Sequence, residues 1–195
     1  MTSLQPDSRV MAELLKRGMS QGQRPYLTIS SGSMRPLLVV GDEIQLEPVT
    51  IKDLLPGDII TVVAPVELLT HRFYGVYEND GCTWLVTRGD RFLLFDSAWH
   101  EAQLVGRVIT RRRHKRRRLS LREGGGKWLN GYMGRLAAAE TRFFGARHMP
   151  LPPLHSFTLT PGWGSKIPFF WVRQIRRILY LWLTLVAFVV RVLAS

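Results

Sequence analysis

The chain has 195 residues, 46% of them hydrophobic and 22% charged, which excludes wholesale disorder and allows one domain with an appendage. The formal charge of +12 sits at one end: residues 1–110 carry 10 Lys and Arg against 13 Asp and Glu, whereas residues 111–195 carry 17 against 2. Such asymmetry implies a near-neutral catalytic or binding module joined to a segment that meets something anionic, either phospholipid or nucleic acid. A single cysteine, Cys82, rules out an intrachain disulfide and a Cys-rich zinc site.

Residues Met1–Gln23 include Asp7 and Glu13 and no apolar run of signal-peptide length, so neither a secretory signal nor an N-terminal anchor is expected, and the first module is expected to start in the cytoplasm. Val10, Leu14 and Leu15 at helical spacing, with Ser8 as N-cap and Gly18 as stop, predict a short helix over residues 8–18. From Tyr26 the pattern changes to short apolar or alternating runs: Tyr26–Ile29, Glu43–Leu46, Ile59–Val63, Thr70–Tyr77, Thr83–Thr87 and Leu104–Ile109. Turn signals separate them at Gly41-Asp42, Pro56-Gly57-Asp58, Asn79-Asp80-Gly81 and Gly89-Asp90. Runs of that length and spacing predict a mainly β, antiparallel domain. Asn79-Asp80-Gly81 predicts a hairpin, because those residues tolerate the positive φ of a tight turn.

Beyond Thr110, seven Lys and Arg fall within the eight residues Arg111–Arg118, followed by three glycines at 124–126, a helix expected over 127–144 and a Pro-rich run at 149–153. Residues 111–165 therefore read as a linker with at most one helix. In the last segment, Lys166–Ser195, the thirteen residues Ile178–Val190 carry no charge and are flanked by Arg173, Arg176, Arg177 and Arg191. Thirteen helical residues cover about 20 Å against roughly 30 Å of bilayer core, so the segment predicts an apolar helix that lies shallow in a membrane or spans it marginally. A helix buried in a larger assembly would show the same pattern. The expected organisation is an N-terminal helix and lead-in over 1–24, a β domain over 25–110, the linker over 111–165 and a membrane-associating helix over 166–195.

Chemistry concentrates in Ser30-Ser31-Gly32-Ser33-Met34-Arg35-Pro36, directly after the first predicted strand. Gly32 permits a sharp turn and Pro36 restricts the backbone beyond it, so Ser33 is presented at a strand end with its backbone constrained. Alone, this is an ordinary Ser/Gly loop. A serine nucleophile needs an adjacent base, which in turn needs an orienting group. The first module holds only Lys16 and Lys52, neither in an apolar strand where desolvation would lower its pKa. His71 opens the strand that runs on through Arg72, Phe73 and Tyr74, and Asp90 and Asp96 lie around the turn that follows Gly89. Each has an ordinary structural reading by itself, and the set carries the catalytic one.

In order along the chain stand Ser31-Gly-Ser33-Met-Arg-Pro36, Gly41-Asp42, Pro56-Gly57-Asp58-Ile-Ile, His71-Arg72, Thr87-Arg-Gly-Asp90 with Asp96 six residues later, and Val105-Gly106-Arg107-Val108. This ordered set resembles the motifs of type I signal peptidases, within the signal peptidase and LexA-like superfamily of serine peptidases. The nearer likeness is to the endoplasmic-reticulum and archaeal-type branch, in which histidine replaces a lysine base. The resemblance covers about residues 27–109 and implies a signal-peptidase-like β fold with Ser33 as nucleophile and His71 as general base. It implies Asp96 as the group that orients and stabilises the imidazolium, Asp90 holding the same loop or sharing that task, and Ser31 with the Ser33 backbone N–H as oxyanion donors. No cofactor or metal is implied. Leu37-Leu38 stands where Thr-Leu commonly follows the proline, and Arg91-Phe92 where two asparagines commonly follow Gly-Asp. The family usually carries an N-terminal anchor and works on the far side of the membrane, which this chain does not match.

The expected activity is therefore a serine endopeptidase acting on a precursor, signal or leader peptide, with a catalytically inactive peptide-binding or scaffold protein as the rival. If the C-terminal helix spans, the basic run keeps the catalytic module in the cytoplasm, which suits maturation of a particular precursor better than general signal processing. The Arg111–Arg118 run could face anionic lipid, nucleic acid or solvent. Lipid is the reading its apolar C-terminal companion favours, since no nucleic-acid-reading element accompanies the charge. Accessory subunits fit the same picture.

Overall fold

In the computed structural model, which describes residues 7–92, 94–113, 117–144 and 169–193, the first helix, α1, spans Ser8–Ser20. Its N-cap is Asp7, whose side chain accepts from the Arg9 N–H at 2.9 Å, while Ser8 is buried and donates to the Ala64 carbonyl. Ala12, Leu15 and Met19 form the buried face. Val10 and Leu14, expected on that face, are exposed, because the docked stripe is centred one residue further round the helix. Gly18 lies inside α1 rather than ending it.

The sequence then forms one antiparallel sheet that curls into a half-barrel. Its strands are β1 (Tyr26–Thr28), β2 (Glu43–Glu47), β3 (Ile59–Val63), β4 (Leu68–Asn79), β5 (Cys82–Arg88), β6 (Trp99–His100), β7 (Leu104–Arg113) and β8 (Arg117–Ser120). The order across the sheet is β1-β2-β7-β3-β4-β5-β6, with β8 on β7. β7 is the long central strand. One edge pairs with β2, and the other pairs first with β3 at residues 104–107 and then with β8 at residues 110–113. The β4–β5 hairpin turns at Asp80 and Gly81, with φ of 52° and 72°, as the Asn-Asp-Gly signal predicts.

The expected boundary at residue 110 is corrected by β7 and β8. The basic run is not the start of a linker, since Arg111, Arg112 and Arg113 pair with Leu119, Arg118 and Arg117 across a further hairpin. Strand formation is paid for by carboxylates on β2 and the loop before it. Arg113 makes a two-bonded contact to the fully buried Asp42, at 2.6 and 2.7 Å, and Arg112 donates to Glu43 at 2.8 Å. Arg111 donates to the Leu37 carbonyl at 2.8 Å. Three arginines that resemble a solvated or lipid-binding tract are thus engaged within the domain. Residues 114–116 of that run, and 145–168 of the expected linker, lie outside the described residues.

Two helices follow. The helix expected over 127–144 begins earlier, as α2 (Gly124–Phe144), and α3 spans Phe169–Leu193. The larger core joins Ala12, Leu15 and Met19 of α1 to Met34, Leu37, Leu38, Ile44 and Leu46, and is closed by Leu129 and Met133 of α2. Leu183 and Val186 of α3 pack against it. A second core, with Ile60, Val62, Phe73, Leu85 and Trp99, fills the other side of the sheet. Among the described residues no helix is long and apolar enough to cross a membrane.

Candidate active site

Ser33 lies in the loop between β1 and β2, and what fixes it is the apolar sequence after it. Met34, Leu37 and Leu38 are at most 1% exposed, so the loop is pinned into the larger core immediately downstream of the serine. Leu37 and Leu38 are therefore two fully buried core residues. Gly41 N–H donates to Ile29 O, Ile29 N–H to Asp42 O, and the Asp42 carboxylate accepts from the Val39 N–H, which closes the loop. Ser33 is buried, and its hydroxyl lies 3.1 Å from that of Ser31. Its carbonyl accepts from the Arg91 N–H at 2.9 Å, joining the serine loop to the turn after β5. The guanidinium groups of Arg35 and Arg91 flank the intervening Gly32.

His71 comes from β4, where it pairs with Ile60 of β3 and is 2% exposed. Its Nδ1 lies 2.6 Å from Asp96 Oδ2. An ionised carboxylate only accepts, so Nδ1 carries the proton and the Nε2 lone pair is left free to act as a base. Asp96 is itself held: the Thr87 hydroxyl donates to the same oxygen at 2.6 Å, the Trp99 indole N–H donates to Thr87 at 2.8 Å, and the Asp96 N–H donates to the Thr87 carbonyl. A chain of hydrogen bonds from Trp99 through Thr87 and Asp96 thus orients the imidazole.

The opposite ring nitrogen, His71 Nε2, is buried with no hydrogen-bond partner among the described residues. Leaving a buried polar nitrogen unpaired costs about 1–3 kcal/mol, and such groups concentrate where chemistry requires them. The space it faces is bounded by Gly89. A side-chain carbon at that glycine would lie 3.0 Å from Nε2, 3.1 Å from the Ser33 carbonyl oxygen and 2.9 Å from the Phe92 ring. Gly89 therefore keeps open the gap between the Ser33 carbonyl and the His71 ring, a role its turn signal did not announce. Gly89→Ala is expected to lower turnover about hundredfold, by displacing one of the two groups by a fraction of an ångström. Comparing turnover with unfolding midpoints would check this, because a purely structural effect would move both together.

Asp90 faces elsewhere. Its two carboxylate oxygens accept from Arg72 Nε and Nη2 at 2.6 and 2.7 Å, a fork-to-fork pair. Burial disfavours the charge on Arg72, but Asp90, together with Tyr74 and Asp58, raises the guanidinium pKa above its ordinary value. The remaining Arg72 nitrogen, Nη1, donates to the Gly57 carbonyl and to Asn130 Oδ1 of α2. Directly across the β4–β5 ladder stands Arg88, also buried, which lies over the rings of Tyr74 and Phe95 and donates to Glu140 of α2. Arg107 of β7 joins Glu47 to Asp58 of the Pro56-Gly57-Asp58 turn. The structure thus brings Ser31, Ser33, His71 and Asp96 to one locus, and ties Asp90 to the loop's support through Arg72.

Sequence reasoning missed Thr87 and Trp99, although Thr87 stands inside a motif whose spacing was noticed. Arg72 and Arg88 stand in the quoted motifs without a role of their own, Asn130 and Glu140 were not singled out, and an arginine inside an apolar strand was the available signal. Among the described residues there is no cluster of His, Cys, Asp or Glu that could hold a metal ion. No protein-family model matches this chain, and no curated protein matches it significantly.

Proposed function

We propose that the chain is a serine endopeptidase in which Ser33, His71 and Asp96 act as nucleophile, base and orienting carboxylate. Within that class, the order and spacing of its motifs favour a signal-peptidase-type enzyme with the corresponding β fold, acting on a precursor, signal or leader peptide after a small residue. The observation that carries the reading is the buried imidazole with its Nδ1 against Asp96 and its unpaired Nε2 beside the gap above Gly89 that also meets the Ser33 carbonyl.

In the mechanism this supports, the Ser33 hydroxyl turns from Ser31 toward His71 as substrate enters. Nε2 takes its proton while Oγ attacks the scissile carbonyl. The oxyanion is met by the Ser33 N–H and the Ser31 hydroxyl. The C–N bond then breaks with the His71 proton passing to the leaving amine, and a water activated by the same nitrogen hydrolyses the Ser33 ester. Asp96 stabilises the imidazolium throughout, and Asp90 acts through Arg72 as a positioning residue.

The apolar C-terminal helix with its basic flanks attaches the enzyme at a membrane surface. Nucleic acid is disfavoured as partner, since no nucleic-acid-reading element accompanies the charge. The rival reading, an inactive peptide-binding subunit of a membrane-associated maturation complex, has no use for a buried unpaired imidazole nitrogen. A serine-directed covalent probe followed by peptide mapping separates the two. Modification of Ser33 that disappears in His71→Ala is expected, and absence of labelling under all conditions would favour the binding protein.

A further inference from the structure

We infer that α3 and the adjoining surface of α2 form a face that seats the domain on an anionic phospholipid bilayer, with α3 lying in the plane of the interface. The inference rests on the membrane-attachment part of the reading above and not on its peptidase chemistry.

α3 is apolar on two sides. On one, Leu183 and Val186 pack against the larger core, while Trp182, at the border of the two sides, donates its indole N–H to the Tyr132 hydroxyl of α2. On the other stand Ile178, Leu181, Trp182, Leu185, Phe188 and Val189, between 46% and 69% exposed. Their positions advance by three and four, so they form one continuous stripe of about 17 Å. A helix packed on a domain in water carries its charges on the outward side, yet there is no charged residue from Ile178 to Val190.

The chemistry of the surroundings points to lipid. A second helix pairing along this stripe would cover a narrow seam and would call for charged flanks, whereas the flanking Leu179 and Tyr180 are apolar or amphipathic. A bilayer interface covers the whole outward side. No described helix is long and apolar enough to cross, and the packing of Leu183 and Val186 keeps the stripe at the domain surface. Trp128 and Tyr132 of α2 stack at 5.4 Å beside this face. Exposed Arg135 follows Tyr132 by three residues on the same side of α2, and exposed Arg177 precedes the stripe. Indole and phenol rings among basic side chains, bordering an apolar strip, suit the headgroup layer of an anionic membrane.

The test is flotation of the full chain with vesicles of phosphatidylcholine, with and without phosphatidylglycerol. Wild type is expected to float with the anionic vesicles. Leu181→Asp/Phe188→Asp is expected to lose about tenfold or more of that partition, and Arg135→Glu/Arg177→Glu several-fold on anionic vesicles alone. Because both pairs are exposed, circular dichroism should stay unchanged. Tryptophan quenching of the wild type by brominated lipid gives a readout that needs no variant. Absence of flotation, flotation indifferent to the two aspartates, or a dimer that those aspartates dissociate would each overturn the proposal. Peptide cleavage in detergent is read separately, so loss of one property leaves the other interpretable.

Discussion

Ser33→Ala and His71→Ala are each expected to reduce peptide cleavage by about a thousandfold or more, with the double variant little worse than either single one, because the two groups act as a unit. The serine change removes one hydroxyl whose partner in the resting site is Ser31, so stability should move by only about 1 kcal/mol. His71→Ala removes the imidazole that Asp96 orients, and here the loss of packing complicates the reading. Asp96→Asn is the cleaner companion. It keeps the shape but presents an amide to Nδ1, favours the wrong tautomer, and is expected to cost about 10²–10⁴ in kcat. Rates measured on one peptide, beside urea unfolding curves, check all three. An Asp96→Asn variant with wild-type kcat would remove Asp96 from the mechanism.

Asp90→Ala is expected to act on stability first, by about 3–5 kcal/mol, because it leaves the guanidinium of a fully buried Arg72 without its carboxylate. Replacing both partners by apolar residues of similar size, as in Arg72→Met/Asp90→Leu, should recover a large part of that loss. The same pair links β4 to the turn carrying Gly89 and, through Asn130, to α2. The double variant therefore tests position as well as stability: a folded protein with depressed kcat fits a positioning role. Asp90→Ala with wild-type stability but no turnover would instead put Asp90 in direct contact with the chemistry.

The strands and their hairpin were legible because period-two runs between Gly, Asp, Asn and Pro leave few alternatives, and the β4–β5 turn came out at the expected residues. Ser33, His71 and Asp96 could be named together only through the likeness of their ordered motifs to those of signal peptidases, and the structure sets His71 against Asp96. What stayed hidden depends on contacts distant in sequence. The Arg111–Arg113 segment reads as a solvated tract until Asp42 and Glu43, some seventy residues earlier, are brought beside it. Trp99 and β6 are too short a signal to read as a strand. Asn130 and Glu140 of α2 sit in ordinary helical positions, and only the sheet's two opposed arginines give them a task. The resemblance alone divided Asp96 from Asp90, leaving Asp90 either to hold the loop or to share the orienting task, because both lie within a few residues of one turn and only side-chain direction separates them.

The decisive experiment is incubation of purified wild type and Ser33→Ala, in detergent, with precursor peptides carrying a small-x-small site, read by intact-mass spectrometry of both peptide and protein. A catalytic Ser33 predicts defined cleavage products with wild type alone, together with a transient mass increase on the protein equal to the acyl fragment. Equal cleavage by the Ser33→Ala protein would contradict it.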